Sequence, residues 1–141
     1  MTNSMKIGGR SVPIGGMALC FRYFAEDDPP ASLDIWRETE DESLGGVALN
    51  GLGIRNVTTV EALQGKRFSF DDETEDDAEI RESVFVQPNS DESLEISSVD
   101  IVFGAIDGEH IALEIRAKCF DHREMDIPVE IGGSARILKE C

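Results

Sequence analysis

Alternation of apolar and polar residues is clearest over residues 98–120, which read SVDIVFGAIDGEHIALEIRAKCF. Apolar residues occupy every second position before the pair Asp107-Gly108 and again after it. Alternation with a period of two on both sides of an Asp-Gly pair is typical of a β-hairpin. The sequence therefore predicts a hairpin from about Val99 to Cys119.

The length of the hairpin loop follows from the need to bury both apolar sets on one face. A two-residue loop at Asp107-Gly108 would place them on opposite faces, because a slip of one residue turns every side chain over. A three-residue loop, residues 106–108, restores the match, so we predict a type I turn with a bulge at a left-handed Gly108. The side chains expected to share one core are Val99, Ile101, Phe103, Ile111, Leu113 and Ile115.

The end of the chain repeats this pattern around the pair Gly132-Gly133. Apolar residues alternate over residues 127–131 and again over residues 135–137. Glycine pairs permit tight turns because glycine adopts positive φ without steric cost. We therefore predict a second hairpin with an odd loop at the two glycines.

The remaining apolar segments predict further strands and one short helix. The additional strands are expected at Met17–Phe24, Ser32–Glu38, Gly46–Asn50, Lys66–Phe70, Glu82–Gln87 and Leu94–Ile96. Residues 32–44 could instead form a helix, but its last turn would hold several acids at the negative end of the dipole. Thr58 and Glu61 match a capping box, and Gly65 provides a stop signal, so a short helix is predicted between them.

Together these elements predict a mainly β protein: an antiparallel β-sandwich or partly open barrel with one short helix. An α+β fold is the alternative, because residues 32–44 could be helical. The 141 residues suit one globular domain, residues 1–141, with residues 1–10 expected to be flexible.

Composition adds an expectation about location. No apolar run approaches the roughly 18 residues of a membrane span, and the first residues do not resemble a secretory signal. The chain has 3 cysteines, an odd and low number that favours reduced thiols in a cytoplasmic protein. Cys20 and Cys119 lie in apolar runs, so both are predicted to be buried, reduced and free of metal.

Charge changes the picture most, because the net charge is −16 and is unevenly distributed. Most acids fall in residues 26–42 and 71–82, whereas residues 1–25 carry more bases than acids. Consecutive like charges repel and stay solvated. We therefore predict that Asp71–Glu79 is a mobile, exposed loop between a strand ending near Phe70 and a strand containing Val84 and Val86.

Two more specific interpretations of this acidic run, a surface that imitates DNA and a calcium-binding loop, agree less well with the sequence. A surface that imitates DNA would carry acids in rows spaced like phosphates, whereas these acids are consecutive. Six acids match the ligand positions of a helix-loop-helix calcium loop, but Asp76 stands where such a loop needs glycine. The residues at those positions are Asp71, Glu73, Glu75, Asp77, Glu79 and Glu82.

Candidate catalytic and metal-binding residues are few. Cys119 and His122 have a C-x-x-H spacing, but no second close pair completes a zinc site. His110 should face solvent near the hairpin turn. The chain has no G-x-S-x-G nucleophile motif and no complete phosphate-binding loop. We therefore predict no catalytic residue, no metal and no cofactor.

These observations favour a non-catalytic acidic module that binds a basic protein surface, with an inhibitor, immunity-type or adaptor role. A structural subunit that assembles with its own copies is the first alternative, and an enzyme using carboxylates or Cys119 with His122 is the second. Neither direct nucleic-acid binding nor a membrane partner is expected. The predicted partner-binding residues are Asp71, Asp72, Glu73, Glu75, Asp76, Asp77, Glu79, Glu38, Glu40, Asp41 and Glu42.

Overall fold

The computed structural model describes residues 3–12, 15–27, 30–38, 44–71, 78–80, 84–86, 93–120 and 126–138. Within these ranges the chain is mainly β, as predicted, and contains no α-helix. The strands are β1 (Ser4–Ile7), β2 (Arg10–Val12), β3 (Gly16–Tyr23), β4 (Ala31–Glu38), β5 (Leu44–Ile54), β6 (Arg67–Asp71), β7 (Ala78–Ile80), β8 (Val84–Val86), β9 (Ser93–Asp107), β10 (His110–Phe120) and β11 (Asp126–Ile137).

All of these strands belong to one sheet, which curls into a nearly closed barrel. The main order is β6-β9-β10-β11-β3-β4-β5-β7, with β1 and β2 added beside β11 and β8 added beside β9. Every pairing is antiparallel except that of β11 with β3, which is parallel and joins only Arg136 with Ala18 and Ile137 with Leu19. The barrel nearly closes where β8 contacts β5 and β7 contacts β6.

This topology resolves the sequence-based alternative of a helix over residues 32–44. Residues 31–38 form β4 rather than a helix, so the α+β alternative is wrong for this segment. Within residues 1–10, which were predicted to be flexible, Ser4–Ile7 pair with β11 over four residues. Met5 is 1 % exposed, so burial of this side chain favours the pairing of the strand with the sheet.

The predicted short helix is a single 3-10 turn, Val60–Leu63, that starts one residue later than the capping box suggested. The hydroxyl of Thr59, rather than that of Thr58, accepts a hydrogen bond from the amide of Ala62 at 3.3 Å. Gly65 follows with φ of 71°, which confirms its role as the residue that ends the turn. The turn closes part of the core by burying Leu63 completely.

The hairpin of β9 and β10 forms as predicted, but its loop has two residues instead of three. Asp107 pairs with His110, so only Gly108 and Glu109 lie in the turn. Gly108 has φ of 63°, as predicted, and Glu109 does not share the positive φ. A positive φ at the first turn residue alone is the pattern of a type II′ turn.

A bulge in β9 resolves the conflict between the two-residue loop and burial. Next to the turn Ile106 faces Ile111, whereas further along Phe103 faces Leu113, so two residues of β9 oppose Ala112 alone. The extra residue turns the apolar side chains of β9 back towards the core. All side chains predicted to share the core are at most 3 % exposed: Val99, Ile101, Phe103, Ile111, Leu113 and Ile115.

The segment after the 3-10 turn holds the backbone on either side of this bulge. The amide of Phe103 donates to the carbonyl of Lys66 at 2.9 Å. The amide of Ile106 donates to Oε1 of Gln64 at 2.8 Å. A Cβ at Gly104 would lie 3.0 Å from the facing alanine Cβ, so a small residue suits the bulge. These bonds satisfy amides beside an irregular stretch of the ladder.

The predicted second hairpin is wrong, because β11 runs without a turn through both glycines. Val129, Ile131 and Ala135 stay on the buried face throughout. The glycines serve close packing instead: a Cβ on Gly133 would overlap Oδ1 of Asn3 and lie 2.9 Å from its Cα. Asn3 also accepts a hydrogen bond from the amide of Ser134 at 2.9 Å, so the start of the chain lies across β11.

Candidate functional site

The structure describes only part of the predicted acidic site. Glu38 is the last residue of β4, Asp71 is the last residue of β6, and Glu79 is the central residue of β7. The other predicted residues lie outside the described part of the chain: Asp72, Glu73, Glu75, Asp76, Asp77, Glu40, Asp41 and Glu42. The residues of the rejected calcium loop divide in the same way, because Glu73, Glu75, Asp77 and Glu82 also lie outside it.

The strands that flank the acidic run were predicted correctly, but the loop between them is shorter. β6 ends at Asp71, and Val84 begins β8. Residues 78–80, assigned partly to the loop by sequence, form β7 and pair with β5. In β7 the polar Glu79 lies between the apolar Ala78 and Ile80, an alternation that is typical of a strand. β7 is the last strand of the main order and lies beside β5. The mobility predicted for residues 72–77 concerns residues outside the described ranges.

The register of the sheet places the end of this run near the turn between β3 and β4. Tyr23 pairs with Ala31, Ala31 with Ile54, and Ile54 with Ala78, so these four residues form one row across four strands. Ala78 lies near the end of the acidic run, between Asp77 and Glu79. Adjacent strands lie about 4.8 Å apart, so Tyr23 and Ala78 are separated by roughly 14 Å.

Residues 23–27, which we call the β3–β4 tip, form a hydrogen-bonded turn. The amide of Phe24 donates to the carbonyl of Pro30 at 2.8 Å, and the amide of Asp27 donates to the carbonyl of Phe24 at 3.0 Å. The second bond defines a β-turn from Phe24 to Asp27, whose end residues have Cα atoms within about 7 Å. An aromatic residue and an acidic residue are therefore held close together on the same turn.

The aromatic side chains of the β3–β4 tip are exposed. Tyr23 is 40 % exposed and Phe24 is 57 % exposed. Within the described ranges the other exposed large apolar side chain is Val102, 40 % exposed on β9. Glu26 and Asp27 are also exposed. Exposed aromatic side chains are frequent at surfaces that contact another protein.

Tyr23 and Phe24 were not predicted as site residues, because residues 17–24 were interpreted only as one apolar and aromatic strand. Alternation does identify the inward residues, such as Leu19, which is fully buried. The signal that could have identified the surface is the sequence AEDDPPA, which follows Phe24 directly. Turn-forming residues at that point place the last aromatic residues at the edge of the sheet, where burial ends.

Arg22, the base that directly precedes the β3–β4 tip in the sequence, pairs with an acid. Nη1 of Arg22 lies 3.4 Å from Oδ2 of Asp34. The Arg22 side chain is 43 % exposed, whereas that of Asp34 is 8 % exposed. This pair offsets the positive charge of Arg22, and Glu26 and Asp27 add two exposed acids to the β3–β4 tip.

The outer face of β1, β11, β10 and β9 has a different character, because its charges alternate in sign. Lys6 pairs with Glu130, Glu130 with Arg116, and Arg116 with Asp100 in one cross-strand row. Asp100 also accepts two hydrogen bonds from Arg67, at 2.8 and 2.9 Å. Hydrogen bonding from Arg67 lowers the pKa of Asp100 below its usual value. This face is charge-balanced and stabilises the order of the strands.

Two shallow depressions lie on this charge-balanced face. One, of about 190 Å³, is lined by Ser4, Lys6, Glu114, Arg116, Glu130 and Gly132 among others. The second, of about 270 Å³, lies over Val102, Gly104 and Ala112. Both are smaller than the roughly 300–1,000 Å³ typical of ligand pockets, so their size does not favour binding of a small molecule.

Cys119 is placed in the core, as its phase in β10 predicted. It is 1 % exposed, and burial raises the pKa of its thiol to about 12. A thiol with this pKa is protonated at neutral pH, which disfavours a role as a nucleophile. His122 lies outside the described residues, whereas His110 is exposed, as expected.

Cys20 is buried as predicted, but the prediction that it is reduced is wrong. It is 1 % exposed and takes part in a disulfide, whereas Cys119 is free. Cys20 lies apart from the main core, which contains Cys119. Side chains alternate along β3, and Leu19 faces the main core, so the neighbouring Cys20 faces the opposite side of the sheet. The partner of Cys20 lies outside the described residues.

Within the described ranges no group of three or more histidine, cysteine or acidic residues is arranged to hold a metal ion. No helix in the same ranges is long and apolar enough to cross a membrane. Comparison of the chain with known protein families, curated proteins and solved structures gives no match.

Proposed function

We propose that this protein is a non-catalytic interaction module that binds a basic protein surface through the β3–β4 tip. The observation that carries the proposal is the pair of exposed aromatic side chains, Tyr23 and Phe24, beside the exposed acids Glu26 and Asp27. Aromatic residues contribute strongly to binding when a partner covers them, because they bury a large area at low entropic cost.

The distribution of charge supports a basic partner. The net charge of −16 attracts a cationic surface over about 8–10 Å at physiological salt. The aromatic residues then provide the short-range contact that charge alone does not. In this proposal the acidic residues predicted from sequence, Asp71–Glu79 and residues 38–42, speed association, and the β3–β4 tip determines how long the complex lasts.

The same charge disfavours the other partners. Two copies of a chain with net charge −16 repel each other, so another protein is favoured over self-assembly. Direct nucleic-acid binding is disfavoured because phosphates need a basic surface. A cytoplasmic location, which the sequence favours, is opposed by the disulfide at Cys20, since disulfides persist mainly in oxidising compartments.

The proposal is tested by panning a displayed library of random peptides against the immobilised protein at about 0.15 M salt, a concentration that screens weak charge contacts. We expect enrichment of peptides that combine lysine or arginine with apolar residues. Binding of the enriched peptides should fall at least about tenfold with the double variant Tyr23→Ser/Phe24→Ser, because one lost hot-spot contact alone costs more than a factor of five.

The matched control is Val102→Ser, which removes a similarly exposed apolar side chain from the charge-balanced face. It should leave peptide binding unchanged. Enrichment of acidic or uncharged peptides would contradict the proposal, and so would equal losses with the tip variant and the control. The oligomeric state, measured by sedimentation, tests the assembly alternative directly, since a stable oligomer that buries the β3–β4 tip would replace the proposed partner with a second copy.

A further inference from the structure

We propose that Cys20 is bonded to Cys141 and that this disulfide fastens β11 to β3, so that a dithiol reductant opens the sheet between these two strands. The inference does not depend on the function proposed above. It rests on the number of cysteines, on the course of the chain at the end of β11 and on the shortness of the pairing between β11 and β3.

The partner of Cys20 follows by elimination. The chain has 3 cysteines, Cys20, Cys119 and Cys141. Cys20 takes part in a disulfide, whereas Cys119 is free. Cys119 also belongs to the main core, from which Cys20 is absent, and β11 lies between the strands that carry these two residues. Within one chain, Cys141 is therefore the remaining partner.

The end of β11 brings Cys141 within reach. The last pair of the parallel register joins Ile137 with Leu19. The next step of this register lies beside Cys20, and the amide of Leu138 donates to the carbonyl of Leu19 at 2.9 Å. Adjacent strands are about 4.8 Å apart, and three further residues span up to about 10 Å. A disulfide needs Cα atoms within roughly 4.4–6.8 Å, so the chain is long enough to form it.

The burial of β3 agrees with a bond at this place. Ala18 and Cys20 are at most 1 % exposed, yet neither belongs to the main core. Both face the opposite side of the sheet from Met17 and Leu19, because side chains alternate along a strand. Such outward side chains stay buried only when another part of the chain covers them, and the chain leaves β11 here.

The pairing of β11 with β3 is the shortest in the main order of the described strands. It joins two residue pairs, whereas β3 pairs with β4 over eight and β10 with β11 over eleven. It is also parallel, and parallel pairs are slightly less stable per residue. A covalent bond at its end therefore contributes a large part of the attachment, and loss of the bond favours local opening.

Opening requires a two-electron reduction. One thiolate of the dithiol reductant attacks a sulfur of the bond between Cys20 and Cys141, which breaks, and a mixed disulfide forms. The second thiolate of the reductant then displaces the cysteine from the mixed disulfide. The reductant ends as an internal disulfide, and the two cysteines end as thiols that carry its two protons. β11 and β3 are then joined only by their short hydrogen-bonded pairing.

Peptide mapping tests the bond, because trypsin places the 3 cysteines in different peptides, residues 11–22, 119–123 and 140–141. The protein is equilibrated with oxidised glutathione, which accepts the two electrons released when the bond forms. It is then alkylated in denaturant and digested without reductant. We expect residues 11–22 linked to residues 140–141, and Cys119 alkylated. Three alkylated cysteines, a link to residues 119–123, or a linked species of twice the chain mass would overturn the assignment.

Hydrogen exchange followed by NMR tests the opening, because two neighbouring amides report on different sides of β11. The amide of Leu138 donates across the pairing to Leu19, whereas that of Ile137 donates to the carbonyl of Glu109 at 2.7 Å. Dithiothreitol should speed exchange of the Leu138 amide at least about tenfold, since disulfides usually stabilise by more than this factor. Exchange of the Ile137 amide, the internal reference, should change less.

Two variants separate the bond from other effects of the reductant. Cys141→Ser should exchange like the reduced wild type and should no longer respond to dithiothreitol. Cys119→Ala, the matched control, removes the free cysteine and should keep the full response. The reduced wild type gives the same information without any substitution. Unchanged exchange of the Leu138 amide on reduction would overturn the proposal, and equal acceleration at Ile137 would overturn local opening because it indicates unfolding of the whole sheet.

Discussion

At the scale of single residues, two side chains show how position decides chemical behaviour. Gly133 lies inside a strand, yet the neighbouring Asn3 leaves no room for a side chain there. Cys119 is a thiol whose burial suppresses its ionisation. The burial of Cys119 follows from the alternation of β10, whereas the crowding at Gly133 is not visible in the sequence around it, because it depends on a segment far away along the chain.

Gly133→Ala should destabilise the protein by about 1–3 kcal/mol, because the new Cβ meets Asn3 and because φ of 139° is unfavourable for alanine. The free energy of unfolding in urea measures this loss. The matched control is Gly132→Ala, whose Cβ would lie 3.7 Å from the hydroxyl oxygen of Ser4, an ordinary contact. Equal losses in both variants would contradict the role given to Asn3.

Cys119 should make stability fall as pH rises above 9. Its pKa is 9.0 when unperturbed and about 12 in the folded protein, so between these values only the unfolded state loses the proton. The contribution is complete below pH 9 and disappears towards pH 12, with a slope of up to about 1.4 kcal/mol per pH unit. Below pH 9 the thiol makes no difference to the pH dependence.

The measurement compares the free energy of unfolding of the wild type and Cys119→Ala between pH 8 and about 10.5, the range over which a thiol with a pKa of 9.0 ionises. All other residues are the same in both proteins, so their effects cancel in the difference. The wild type should lose stability relative to the variant as pH rises. Parallel curves would show that Cys119 does not carry this dependence.

At the scale of elements, alternation predicted the strands well and their connections less well. The requirement that both apolar sets of β9 and β10 face one core was correct, and it correctly excluded a regular two-residue hairpin. It could not distinguish an odd loop from an even loop with a bulge, since both restore the same parity. The bonds from Gln64 and Lys66 that favour the bulge come from another part of the chain.

Local sequence was also insufficient to predict the structure at the second glycine pair and at the candidate site. Gly132-Gly133 resembled a turn, because local residues cannot show that Asn3 packs there. The β3–β4 tip was missed because alternation does not show where burial ends along a strand. The acidic runs were evident from sequence, but the row that relates Tyr23 to Ala78 exists only once β4 and β5 have paired.

Gly108→Val should cost roughly 1–2 kcal/mol in the free energy of unfolding, because a β-branched residue is strained at φ of 63°. Gly108→Asn is the matched control, because asparagine tolerates positive φ better than most residues that carry a side chain. It should cost less free energy of unfolding than Gly108→Val. A loss of equal size in the control would show that the turn dihedral is not the cause.

At the scale of the whole molecule, charge repulsion opposes folding. Replacing Asp71, Asp72, Asp76 and Asp77 with asparagine should leave the fold intact and keep or raise the thermal midpoint, because the net charge of −16 becomes smaller. The gain should vanish in about 1 M salt, where the Debye length is only about 3 Å.

The control for this experiment is Asp100→Asn, which also removes an acid but breaks the paired hydrogen bonds from Arg67. It should lower the thermal midpoint at every salt concentration. If the fourfold asparagine variant unfolds, its aspartates have structural partners and the assignment of these charges to long-range attraction is wrong. The same variant should also slow association with a basic peptide while leaving the dissociation rate nearly unchanged.

Because β11 pairs with β10, β1 and β3, the complete sheet can form only after β11 has been synthesised. β1 and β3 emerge early from the ribosome, but their partner begins only at Asp126. At about 5–20 residues per second, synthesis of the intervening chain takes roughly 5–20 s. During that interval β3 can pair with β4, and β4 with β5, while the edge of β3 that pairs with β11 in the folded protein stays exposed. The nascent chain must therefore be protected from aggregation until its last strand arrives, and the repulsion between its acidic runs offers such protection.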